Sequence, residues 1–155
     1  MRKILLIALV CLLTACFFGC DGVDKTAHLG DPADTERPER EGAIMRYVSD
    51  TNSSLSVVIE NNTESVWQSG NMRDYTLEAE KNGEWFEVEQ KGEFANTMEL
   101  MIFAPGDELS HTFDFSERYG TLAPGKYRVV KSWWANATET EDAAEFYLSC
   151  EFVVE

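Results

Sequence analysis

In the stretch YTLEAEKNGEWFEV, residues 75–88, Tyr75, Leu77 and Ala79 alternate with Thr76, Glu78 and Glu80, and a second run starts at Glu84. Period two is the mark of a strand with one wet face. Between the runs stand Asn82 and Gly83. A two-residue hairpin turn wants that pair, because both central positions need positive φ. The stretch therefore predicts a β-hairpin, and the chain around it follows the same grammar.

From about Ala43 onward, alternating runs bounded by turn residues predict strands at Ile44–Ser49, Ser54–Asn61, Arg73–Glu80, Glu84–Glu89, Asn96–Phe103, Glu108–Phe115, Lys126–Ala135 and Ala144–Val154. Ala104-Pro105-Gly106-Asp107 and Ala123-Pro124-Gly125-Lys126 place Pro and Gly where a type II turn takes them. Helix is scarce, and Thr138-Glu139-Thr140-Glu141 is its best candidate, a capping box opening one or two turns before Phe146. Short strands separated by regular turns predict an all-β fold, a β-sandwich of about seven or eight antiparallel strands. The run 43–155 is long enough to bury a core without disulfide staples.

The run from Leu55 to Trp134 resembles the bacterial immunoglobulin-like domain found in many lipoproteins of Gram-positive bacteria. The resemblance rests on Ser56-Val57-Val58-Ile59-Glu60-Asn61-Asn62-Thr63, on Tyr75-Thr76-Leu77-Glu78, and on Asn82-Gly83-Glu84-Trp85-Phe86-Glu87-Val88. It continues through Ala104-Pro105-Gly106-Asp107, Tyr119-Gly120 and Ala123-Pro124-Gly125-Lys126-Tyr127-Arg128-Val129-Val130. It implies an immunoglobulin-like β-sandwich of the disulfide-free bacterial type, and it transfers the fold better than any activity.

The N-terminus reads as an export signal. Arg2 and Lys3 precede an apolar run, Ile4 to Leu13, too short for the roughly 20 residues a bilayer core needs. Leu13-Thr14-Ala15-Cys16 resembles the lipobox of bacterial lipoproteins, which implies cleavage before Cys16 and a lipid on its thiol. The domain plan is a signal peptide at 1–15, a lipidated N-terminus and flexible tether at 16–42, and the sandwich at 43–155. Two alternatives stay open. Phe17, Phe18, Gly19 and Cys20 extend the apolar run toward spanning length, which would leave an uncleaved anchor, and Phe18-Gly19-Cys20 is a weaker second lipobox. Either anchor puts the chain after Asp21 outside the cytoplasm.

The formal charge of −15 becomes −17 once Arg2 and Lys3 are removed, and no Lys/Arg cluster interrupts it. That argues against nucleic acid as a partner. Residues 21–42 are rich in Asp, Glu, Pro and Gly with few large hydrophobes, hence the expected tether, with His28 as a solvated residue in it. Of four cysteines, only Cys150 belongs to the domain, in phase with Phe146, Leu148, Phe152 and Val154. It reads as a buried free thiol. A Cys20–Cys150 bridge is the alternative in an oxidising compartment.

No catalytic constellation stands out, and the chain reads as a non-enzyme with no cofactor and no resident metal. His111, the only histidine in the domain, is placed on the Thr112/Asp114 phase as a surface residue without a nucleophile in a recognisable turn. Carboxylates are too numerous to single out a pair. Calcium is the fairest metal, but no segment matches a calcium loop and Glu139–Asp142 reads as a solvated face. Asn52-Ser53-Ser54, Asn61-Asn62-Thr63 and Asn136-Ala137-Thr138 match a glycosylation pattern and read as ordinary loop residues.

Trp133 and Trp134, adjacent on one strand, must face opposite sides. One belongs to the core. The other is either an exposed anchor or packed under the Asn136–Ala143 connection, with the packed arrangement favoured. Trp67 is equally ambiguous. The candidate partner-binding residues are Trp133, Trp134, Glu139, Glu141 and Asp142, suited to a cationic or sugar-like partner, protein or carbohydrate. The expectation is a membrane-anchored, extracytoplasmic, non-catalytic binding or structural module. A loop-presenting inhibitor of an extracytoplasmic protease is the alternative, and an unrecognised enzyme the least favoured one.

Overall fold

In a computed structural model of the chain, the structure describes residues 28–94, 99–136, 138 and 142–155. Cys11, Cys16, Cys20, Glu139 and Glu141 lie outside them, as does nearly all of the expected Thr138–Glu141 helix. The strands are β1 (Leu29–Pro32), β2 (Ala43–Thr51), β3 (Ser54–Asn61), β4 (Trp67–Ser69), β5 (Thr76–Lys81), β6 (Glu84–Val88), β7 (Met101–Phe103), β8 (Glu108–Asp114), β9 (Gly125–Ala135) and β10 (Ala144–Val154). The pairings are antiparallel, in a seven-stranded and a three-stranded sheet.

In the large sheet, β10 lines one edge of β9 along its whole length, from Ala144 opposite Ala135 to Val154 opposite Gly125. The other edge of β9 is shared. β5 pairs with its first half, Glu78 opposite Arg128, and β4 with its end, Gln68 opposite Trp134. β6 and β1 extend the sheet beyond β5, and β7 extends it beyond β4. β2, β3 and β8 form the second sheet. The all-β sandwich expected from the alternation is the fold observed.

The period-two patterns translate directly into burial. Phe146, Leu148, Cys150, Phe152 and Val154 point inward from β10, and Tyr127, Val129, Trp133 and Ala135 from β9. Opposite them stand Leu55, Val57 and Ile59 of β3 with Phe113 and Phe115. One end of the core is aromatic, with Trp67 in ring contact with Phe103, Trp133 and Phe146 at centroid distances of 5.9, 5.9 and 5.0 Å. At the other end Phe152 stacks between Phe115 and Tyr127. Such pairs add to plain area burial.

The turns are chemically specified. Asn82 and Gly83 take φ of 58° and 86°, as the primed hairpin turn requires. Gly106, at φ 84°, gives the turn closed by the Asp107 N–H on the Ala104 carbonyl at 3.0 Å. Ala123–Lys126 departs from expectation. Gly125 is not among the glycines with positive φ and already begins β9, and the Tyr127 hydroxyl donates back to the Ala123 carbonyl at 2.9 Å. The loop is thus held by a tyrosine corner of the sandwich kind.

Two strands were not expected. β4 is three residues, too short for alternation to show. β1 lies inside the segment expected to be a tether. Leu29 pairs with Val88, Pro32 with Phe86, and the Ala33 N–H reaches the Trp85 carbonyl at 2.9 Å. The folded unit therefore reaches back at least to Leu29 rather than starting at Ala43. Composition misled here because the arm borrows its apolar partner, the sheet, from residues far along the chain. The strand expected at Asn96–Phe103 is reduced, among the described residues, to Met101–Phe103.

Candidate functional site

Trp133 and Trp134 sit back to back on β9. Trp133 is 1 % exposed, in the aromatic end of the core. It is a core residue and not a contact for a partner. Trp134 faces out and is 45 % exposed, so it is not packed under the following connection as favoured from the sequence. Its cross-strand partners are Glu145 on β10 and Gln68 on β4, and Gln68 in turn pairs with Ile102 on β7. Glu145, Trp134, Gln68 and Ile102 form one row across four strands. At about 4.8 Å per strand, Trp134 and Ile102 are about 10 Å apart at their Cα atoms.

Ile102 is 64 % exposed, and Leu100, two residues earlier, 66 %. Three large apolar side chains therefore project from one end of the large sheet with Gln68 between them and Glu145 at the rim. The sequence signal for Ile102 and Leu100 was the same alternation that buried Met101 in part and Phe103 fully. Asp142 is exposed in the connection beyond. Whether Glu139 and Glu141 join it falls outside the described residues.

This end of the sheet is rigidly underpinned. Asn61 is fully buried, and its amide donates to the carbonyls of Ser65 at 2.9 Å and Phe103 at 3.1 Å. Its carbonyl accepts from the Thr63 N–H and hydroxyl. The Thr63 hydroxyl oxygen accepts from the Trp67 indole at 3.0 Å. Asn61 therefore knits β3, the loop to β4, and β7 together. The ordinary-loop reading of Asn61-Asn62-Thr63 missed this role, because the partners are dispersed in sequence.

His111 lies in a different place. It shares the inward phase of Phe113, with ring centroids 4.7 Å apart, rather than the Thr112/Asp114 phase. It lines a cavity of about 170 Å³ with Tyr75, Asp114, Arg73 and Arg118. Burial, and secondarily the Lys131 charge, hold its imidazole below its ordinary value. The Asp114 carboxylate is engaged by the Ser116 hydroxyl and N–H, which hold it low, rather than by His111. Among the described residues the hydrogen bonds of the Tyr75 hydroxyl and the Asp114 carboxylate run to the Asp114 carbonyl and to Ser116, not to His111. Nor do three or more His, Cys, Asp or Glu side chains converge among those residues.

Cys150 is a free, buried thiol, as its phase predicted, and burial pushes it up to about 11. It is inert rather than reactive.

Among curated proteins no match is found. A family model described as a bacterial Ig-like domain matches residues 45–147. That span opens in β2 and closes in β10, and it contains the turns at Gly83 and Gly106, the tyrosine corner and the aromatic cluster around Trp67. With this much of its length matched, the chain belongs to the bacterial Ig-like domain family.

Proposed function

We propose that the protein is a non-catalytic binding or structural module, held at the outer face of a membrane by a lipid on Cys16, with its recognition face at the Trp134 end of the large sheet. The family is the first support, since its fold presents surfaces rather than reaction centres. The anchor is supported by the sequence Leu13-Thr14-Ala15-Cys16 behind a charged and apolar leader. The observation that carries the recognition face is Trp134, 45 % exposed on a fully paired strand, flanked by Ile102 and Leu100. A rigid indole beside aliphatic side chains is the hot-spot chemistry of protein interfaces, and Glu145 and Asp142 at its rim favour a cationic patch on the partner.

Photo-crosslinking of the anchored protein in its native membrane tests the face. Trp134→Ala should leave the melting temperature unchanged and remove the captured partner. Capture at the wild-type level would move the interface elsewhere. The anchor is tested separately, since Cys16→Ala should abolish acylation and leave the precursor uncleaved. Normal processing of that variant would sink the lipoprotein reading.

A further inference from the structure

After β1 the chain crosses the outer face of the large sheet as an extended arm. It leaves the β6 edge at Ala33 and passes over β5 and β9. There the Arg37 guanidinium meets one carboxylate oxygen of Glu78 at 2.5 Å, and Arg128 meets the other at 2.6 Å. The Glu78 side chain is fully buried beneath this pair. At the β10 edge the Pro38 carbonyl accepts the Tyr147 N–H at 2.9 Å, and Arg37 stacks over the Tyr147 ring. Arg40 then reaches the Ser65 hydroxyl at 2.7 Å. A cavity of about 150 Å³ remains between arm and sheet.

The arm turns into β2 through a tight bend, with the Ala43 N–H on the Arg40 carbonyl at 3.1 Å and Gly42 at φ +83°. A Cβ on Gly42 would stand 2.8 Å from the Asn62 carbonyl oxygen. The bend therefore tolerates no side chain.

We propose that the outer face of β5, β9 and β10 is a docking surface for the arm of a second copy of this chain, so that two copies pair by exchanging arms. A buried carboxylate aimed outward demands a guanidinium, and the Tyr147 N–H demands a carbonyl one residue later. The arm of another copy carries both, in a geometry already shown to fit. Exchange reuses every contact of the closed chain, so the balance is set by lost translational freedom against the constraint of the bend. In dilute solution the local arm wins through its high effective concentration, and crowding of copies shifts the balance toward the pair. The arm's contacts are largely polar, and the one that reaches deepest is the Arg37 ion pair with the buried Glu78.

Sedimentation equilibrium of the full chain in density-matched detergent tests the exchange. Deleting Glu41 and Gly42 removes the bend, so the arm can no longer fold back on its own sheet. The deletion should tighten dimerisation at least about tenfold over wild type, because the local competitor is gone. Adding Arg37→Ala to the deletion should weaken that dimer by about tenfold or more, since the buried carboxylate loses its incoming partner. Gly42→Ala, which keeps the chain length, should move the equilibrium the same way and is readable even if the deletion fails to fold. Deletion and Gly42→Ala forms as monomeric as wild type, or a dimer indifferent to Arg37→Ala, would overturn the proposal.

Discussion

The ammonium of Lys131 has left water for the space between the sheets, 2 % exposed, where it donates to the carbonyls of Asn71 at 3.0 Å and Asp74 at 2.9 Å. Burial lowers it to about 8, with the charge of Asp74 acting the other way. The unfolded chain keeps the ammonium up to about 10.5, so between about 8 and 10.5 unfolding takes up a proton and this group makes stability rise with pH. Below that window both states are charged, and the whole cost of the buried ammonium remains. The Cys150 thiol acts oppositely from about 9 upward, and the buried Tyr75, Tyr119 and Tyr127 from about 10, because burial raises all four. Among the described residues the Lys131 gain therefore stands alone between pH 8 and 9. The unfolding free energy of wild type relative to Lys131→Met should rise by about 1 kcal/mol from pH 7 to 9 in denaturant titrations, a pKa unit being worth roughly that much. A pH-independent difference would mean that the ammonium is hydrated in the folded state. Lys131 lies in phase with Trp133 and Val129, on the core side of β9. That a lysine stays there depends on two carbonyls from a distant loop, which no periodicity reveals.

At the scale of elements, the hairpin from β5 to β6 is the best case of local determination. Gly83 has φ +86° and nothing within 4 Å of where a Cβ would stand. Gly83→Ala should therefore cost only the backbone penalty of a left-handed conformation, about 1 kcal/mol, without any clash. A loss several times larger in denaturant melts would show that the turn also carries packing. β8, β9 and β10 were legible for the same reason, since long alternating runs announce both strand and phase. β4 and β1 were not. Each is too short to show a period, and each exists because a neighbour offers a free edge, β9 and β7 for β4 and β6 for β1. Gly125 shows the opposite failure. Pro-Gly suggested a local turn, but the Tyr127 hydroxyl and the start of β9 hold the corner instead.

For the whole molecule, the arm extends the folded unit back at least to Leu29, and this has a measurable consequence. The segment 28–155 should melt higher than 43–155, which lacks β1, the buried Ala33 and the guanidinium over Glu78. A loss of about 2 kcal/mol, or roughly 5–10 °C for a domain of this size, is expected in thermal unfolding. Both segments should be indifferent to reductant, because their one cysteine is a free thiol. Equal melting temperatures would return the arm to the status of a tether. Period two along the chain, with Asn82-Gly83 and Pro105-Gly106 at two of its breaks, determined by itself that this is an antiparallel sandwich and which side chains of its long strands β9 and β10 face inward. It could not say what lies over the outward face. Glu78, Val130 and Trp134 share that face of the large sheet, yet Glu78 and Val130 are buried and Trp134 is 45 % exposed. Alternation is a local property of one strand, whereas cover is supplied by a segment some forty to ninety residues earlier in the chain. The path of the arm, which ends its crossing short of Trp134, decides which outward residues become core and which remain exposed.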